Sequence, residues 1–162
     1  MRLEVTTVID APPERCFDLA RSIDFHVVTA EASEERAIAG KTSGLLELDE
    51  TVTWRAKHLG VRQELTSKMT VVDRPHHFQD VMVRGAFASM VHDHHFELRD
   101  GVTHMRDVFV FTSPLGPLGA LVDAIYLGRY MRRFLVTRAR ILKETAESDA
   151  WRAFVPDQPQ SR

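Results

Sequence analysis

The chain has 162 residues, the size of one ordinary domain. Its 44% hydrophobic and 27% charged residues are a globular composition, not a disordered or fibrous one. With 21 basic against 23 acidic residues, the net charge of −2 argues against attachment to nucleic acid or anionic lipid by bulk charge. No apolar run approaches the ~20 residues that a membrane-crossing helix needs. The first ten residues, MRLEVTTVID, alternate and lack the continuous apolar stretch of a secretory leader. A single cysteine, Cys16, excludes an intramolecular disulfide and a cysteine-based zinc site. The expectation is a soluble, cytoplasmic domain over 1–149 with a tail over 150–162 that leaves the fold.

In chain order, Leu3, Val5, Thr7 and Ile9 share one face of an opening strand. Asp10-Ala-Pro-Pro stops it and starts a helix near Pro12 or Pro13, since proline is tolerated in a first turn. Cys16, Phe17, Leu19 and Ala20 give that helix a buried side. A second short helix and a loop are expected between Ser22 and Ala39. Strands are then predicted over 44–48, 50–59, 61–73, 78–84, 88–99 and 102–113, joined by short antiparallel turns. After Pro114-Leu-Gly-Pro-Leu-Gly the period becomes helical. Leu118, Leu121, Val122, Ile125, Met131, Phe134, Leu135, Arg138, Ile141 and Leu142 recur at steps of three and four, predicting a helix of roughly 25–30 residues.

Hairpin register identifies the inner face. Asp100-Gly101 is a strong two-residue turn signal. It sets Phe96 opposite Met105, His94 opposite Asp107, His92 opposite Phe109 and Met90 opposite Phe111. His95 and His104 then fall on the outer, solvated face. A Leu59-Gly60 turn sets Trp54 opposite Leu65, pointing inward, with Arg55 opposite Glu64 outside. A three-residue loop at Gly85–Phe87 would oppose Met82 to Met90, Asp80 to His92 and Phe78 to His94. Asp80, His92, His94 and Asp107 therefore share one face with Trp54, Phe78, Met82 and Met90. Phe96, Met105, Phe109 and Phe111 complete that face, and the long helix supplies its cover.

The order of strand, two short helices, antiparallel strands and one long helix resembles the helix-grip fold of the START/polyketide-cyclase-like (SRPBCC, Bet v 1-like) superfamily. Val8-Ile-Asp-Ala-Pro-Pro-Glu-Arg-Cys-Phe is similar to that family's strand-into-helix opening. Phe78-x-Asp80, Gly85-x-Phe87, His92-x-His94-x-Phe96 and Asp107 resemble an uncharacterised ligand-binding subgroup, with members described as cyclase/dehydrase-like or cell-division-inhibitor-like. The resemblance implies an α+β domain. A curved antiparallel sheet of six or seven strands would wrap a long C-terminal α-helix, with a cavity between them for a hydrophobic small molecule. It implies neither a cofactor nor a metal.

The twelve inner-face residues are the expected ligand-binding set, for a lipid, polyketide or aromatic metabolite. Within it, His92, His94, Asp107 and Asp80 are the catalytic candidates. They could orient a ligand, run cyclase or dehydratase acid–base chemistry, or serve as an internal network that pins register. They have the donor atoms of a metal site, but come from three strands with no helical His-x-x-x-His, and the expectation is no metal. A third function class is an interaction module with a filled core, using Trp151 and Phe154. Arg129, Arg132, Arg133 and Arg140 read as a solvated helix face, while Arg138 lies in phase with the apolar stripe. Ser113–Gly119 reads as a flap at the cavity mouth. No nucleic-acid partner is expected, and the sequence leaves the oligomeric state open.

Overall fold

The computed structural model describes residues 1–58, 60–112 and 126–155. The opening alternation becomes β1 (Arg2–Ile9), with Val5 and Ile9 buried. Pro13 occupies the first turn of α1 (Pro13–Ala20), where the missing N–H costs nothing. Cys16, Phe17 and Leu19 are fully buried beneath it. Helix α2 (Ile23–Thr29) is capped by Ser22, whose hydroxyl accepts from the Phe25 N–H.

The strands that follow are β2 (Arg36–Gly40), β3 (Thr51–His58), β4 (Val61–Asp73), β5 (His77–Arg84), β6 (Ser89–Arg99) and β7 (Val102–Thr112). They form one antiparallel sheet in the order β1-β7-β6-β5-β4-β3-β2. Asp100 and Gly101 have φ of 51° and 82°, as the tight β6–β7 turn requires. The register runs as predicted, with His94 opposite Asp107 and Phe96 opposite Met105. Trp54 faces Leu65 and Arg55 faces Glu64 across β3 and β4. His95 and His104 lie on the convex face, half-exposed.

Four expectations are corrected. Residues 36–40 form β2, not a loop; this short edge strand buries almost nothing, so no hydrophobic alternation marks it. Residues 44–48 do not form a strand. Ile23 N–H donates to the Gly44 carbonyl and Leu46 N–H to the Arg21 carbonyl, so this segment is drawn to the α1–α2 junction. The β5–β6 ladder ends at Val81–Val91, and Met82 does not face Met90. Met82 pairs instead with Ser67 on β4, and Phe87 turns in to pack 5.1 Å from Phe111. The chain also stays on the core past Ala150. Phe154 meets Phe25 edge-on at 5.3 Å and Val155 is buried.

Helix α3 (Gly128–Ala146) buries Met131, Leu135, Ala139, Leu142 and Ala146 along one stripe. Arg129, Arg132, Arg133 and Arg140 occupy its exposed face. The expected helix start at Leu118 and the expected flap at Ser113–Gly119 lie outside the described residues. The helix packs on β1, α1 and α2, and its Lys143 ammonium donates to the Val8 carbonyl at 2.7 Å. The centre of the core is Phe17, edge-on to Phe78 at 5.2 Å and to Phe96 at 5.6 Å. Among the described residues no helix is long and apolar enough to cross a membrane.

Candidate functional site

Three neighbouring strands bring Asp80, His92, His94 and Asp107 together on the concave face. Asp80 faces His92 across β5–β6, and His94 faces Asp107 across β6–β7. His94 Nδ1–H donates to Asp107 Oδ1 at 2.6 Å. The other nitrogen of the ring, Nε2, lies 3.8 Å from Asp80 Oδ1, beyond hydrogen-bond distance. Phe78 stacks on the His94 ring at 4.2 Å, which holds its orientation. The His92 ring lies 3.9 Å from that of His94 and meets Phe109 edge-on at 5.1 Å. His92 Nε2 is buried and has no hydrogen-bond partner among the described residues.

The two imidazoles differ in charge for a physical reason. Burial works against an imidazolium at both. At His94 the carboxylates, Asp107 foremost, overcome it and hold the pKa up at about 9. At His92 burial, reinforced by the charge of His94, pushes the pKa down to about 3. Burial alone would raise the pKa values of Asp80 and Asp107, but the adjacent imidazolium holds both below the ordinary carboxylate range. Near neutral pH the cluster therefore contains one imidazolium, one neutral imidazole and two carboxylates.

A second polar group closes on the first from the helices. Arg138 Nη2 donates to His26 Nδ1 at 2.7 Å, and His26 Nε2 lies 3.1 Å from Glu35 Oε1. A guanidinium can only donate, so His26 Nδ1 must accept. His26 is thereby fixed as the neutral tautomer that donates from Nε2 to Glu35. Burial, with Arg138 next, lowers the pKa of His26 and so agrees with this assignment. The His26 ring stacks on Trp54 at 4.0 Å with a 15° interplanar angle.

Between the sheet and α3 lies a cavity of about 350 Å³. Trp54, Met69, Met90, Phe109 and Phe134 supply much of its apolar wall. Asp80, His92, His94, His26, Glu35 and Arg138 supply polar groups. Of the residues expected from the sequence, Trp54, Phe78, Asp80, Met90, His92, His94 and Phe109 line it. Asp107 and Met105 sit behind the histidines, against a small void of about 20 Å³. Phe96 and Phe111 belong to the packed core. Met82 is partly buried at the end of β5, off the cavity wall.

Sequence reasoning missed His26 and Glu35, and carried Phe87 only within the Gly85-x-Phe87 motif, not among the expected ligand-binding residues. It also missed His58 and Tyr130, which pair Nδ1 to Oη at 2.8 Å on the same wall. The helical phase of Arg138 was the one available signal for the second polar group. Cys16 is fully buried, and burial raises its thiol pKa to about 11, so it is inert packing.

No protein-family model and no curated protein matches the chain. Solved structures do. The protein TTHA0849 from Thermus thermophilus superposes with a TM-score of 0.74 at 16% identity, over 90% of this chain and 97% of that one. Ginseng major latex-like protein 151 from Panax ginseng gives 0.68 at 13% identity, over 91% and 98%. Ara h 8.0201 gives 0.55 at 12% identity, over 88% and 97%. The fold is the helix-grip fold of the Bet v 1-like proteins. At these identities the likeness is one of fold, and the helix-grip scaffold carries many unrelated activities. Function has to be argued from the cavity.

Proposed function

We propose that the chain binds a hydrophobic small molecule of the lipid, polyketide or aromatic-metabolite class between its sheet and α3. The ligand's polar group would meet Asp80, His92 and His94. The observation that carries this reading is the cavity of about 350 Å³, largely apolar and ending in convergent polar groups. That volume is within the range of small-molecule sites, and the mixture of an apolar wall with a few placed polar groups is what such sites require. A module that works only through its surface would have no use for this unfilled space.

The cyclase or dehydratase reading is less well supported. A general base needs an unprotonated nitrogen facing the substrate and a pKa near the working pH. The His94 pKa of about 9 leaves it protonated, with Nε2 directed toward Asp80. His92, at about 3, is too weak a base. The network is better suited to orienting a ligand than to moving its protons.

Native mass spectrometry of the protein purified from its host tests the proposal. A bound molecule of defined mass, one per chain, is expected. His94→Ala or Asp107→Ala should weaken its binding more than either lowers the melting temperature. A destabilised variant with unchanged affinity would reduce the cluster to a structural network.

A further inference from the structure

We propose that Asp80, His92 and His94 form a binding site for a divalent transition-metal ion of the zinc class at the polar end of the cavity. One donor atom from each of the three residues lies within 4.8 Å of the other two. Ligand atoms around a tetrahedral zinc-sized ion sit roughly 3.4 Å apart, so side-chain movements of about 1 Å would close the set. The 3.8 Å between His94 Nε2 and Asp80 Oδ1 is too long for a hydrogen bond and close to the separation of two ligands on one ion.

Three further features distinguish this cluster from a structural network. His92 is 7% exposed, and its Nε2 has no partner among the described residues, although an unpaired buried nitrogen costs roughly 1–3 kcal/mol. Packing alone gives no reason to keep it. Asp107 accepts from His94 Nδ1–H, which is how an outer carboxylate orients a ligating histidine and directs its Nε2 at the ion. The ion would displace the proton from His94 Nε2, releasing it to solvent, and its two positive charges would then balance the carboxylates of Asp80 and Asp107. A fourth position would open to the cavity, because Asp80, His92 and His94 all line it. The absence of a helical His-x-x-x-His does not weigh against the site, since the register of β5, β6 and β7 makes these residues converge.

A competing group on the convex face, His77, Asp93 and His95, also has its donor atoms within 4.8 Å of one another. There Asp93 Oδ1 already takes hydrogen bonds from His77 Nε2 and Gln79 Nε2, each at 2.8 Å, and no buried donor is left over among the described residues. The test removes this group first. In a His77→Ala/His95→Ala background, Co2+ titration should give visible d–d absorption saturating at one ion per chain and displaced by Zn2+. Adding His92→Ala should weaken Co2+ binding at least 100-fold. Asp107→Asn should weaken it about tenfold or more.

Absence of saturable Co2+ binding in the background protein overturns the site. Full affinity after His92→Ala also overturns it. If His92→Ala does not fold by circular dichroism, Asp80→Asn is measured instead, and its full affinity is equally decisive. Uptake of an apolar dye is followed in the same samples. In the background protein, no metal binding with dye uptake intact rejects the metal site alone, whereas metal binding without dye uptake rejects the apolar-ligand reading alone.

Discussion

His92 and His94 stand two residues apart on one face of β6, yet only His94 has a carboxylate within hydrogen-bond reach. That difference predicts how stability depends on pH. The His94 pKa rises from 6.5 to about 9 on folding, so the native state holds the extra proton between those values. Its contribution, on the order of 3 kcal/mol, is complete below pH 6.5 and is lost as pH rises through 9. The His92 pKa falls to about 3, so the unfolded chain binds the extra proton below 6.5, and stability is lost on acidification. Urea unfolding in the presence of a chelator should therefore show a maximum near pH 6.5, and His94→Gln should flatten the alkaline limb. Asp107→Asn should bring the His94 titration down toward its ordinary value, read from the ring-proton shift by NMR. An unmoved titration would mean that Asp107 does not charge the ring.

At the scale of elements, α1 is tied to the rest of the fold by a buried ion group. Asp18 is 1% exposed and accepts from Arg21 at 2.9 Å and from Arg74 at 2.7 Å. Arg21 also donates to the Leu46 carbonyl, which ties residues 44–48 to the helix. Removing Asp18 leaves Arg21 paired with Glu47, at 2.7 Å, and Arg74 one-third exposed, so Asp18→Ala should lower unfolding free energy by roughly 1–3 kcal/mol. A change below ~1 kcal/mol in denaturant titration would show that the clamp is dispensable. The turn after β2 makes a different demand. Gly40 has φ of 72°, and a Cβ there would lie 2.3 Å from the Thr51 carbonyl oxygen. Gly60 has φ of 81° but open space around it. Gly40→Ala should therefore destabilise clearly more than Gly60→Ala, which carries only the left-handed backbone cost of roughly 1–2 kcal/mol.

For the whole molecule, the cavity exists because α3 lies along β1, α1 and α2 and leaves space over the strands carrying Trp54, Met69 and Phe109. Filling that space should separate folding from binding. Ala56 is buried on the cavity wall, and Ala56→Phe should abolish uptake of an apolar dye while keeping stability within about 1 kcal/mol or raising it. Quenching of Trp54 by bound dye, with Trp151 replaced by Phe, reports the same event optically. Dye uptake that survives Ala56→Phe would put the ligand elsewhere.

Much of this architecture was legible in the sequence because its rules are local. Asp100-Gly101 accepts positive φ at both positions, so it set the β6–β7 register, and pleat alternation then put His94 opposite Asp107 without any knowledge of the fold. The helical period similarly found the buried stripe of α3 and singled out Arg138. Where side-chain burial did not follow a period, the reading failed. The edge strand β2 buries little, and residues 44–48 take their hydrogen bonds from the α1–α2 junction. The partner of Arg138 was invisible because His26, which in turn holds Glu35, is more than 100 positions away and meets it only when α2 closes against α3. The charge difference between His92 and His94 was likewise decided by tertiary structure. It depends on burial and on distances of a few ångströms to carboxylates, and no spacing along the chain encodes those distances.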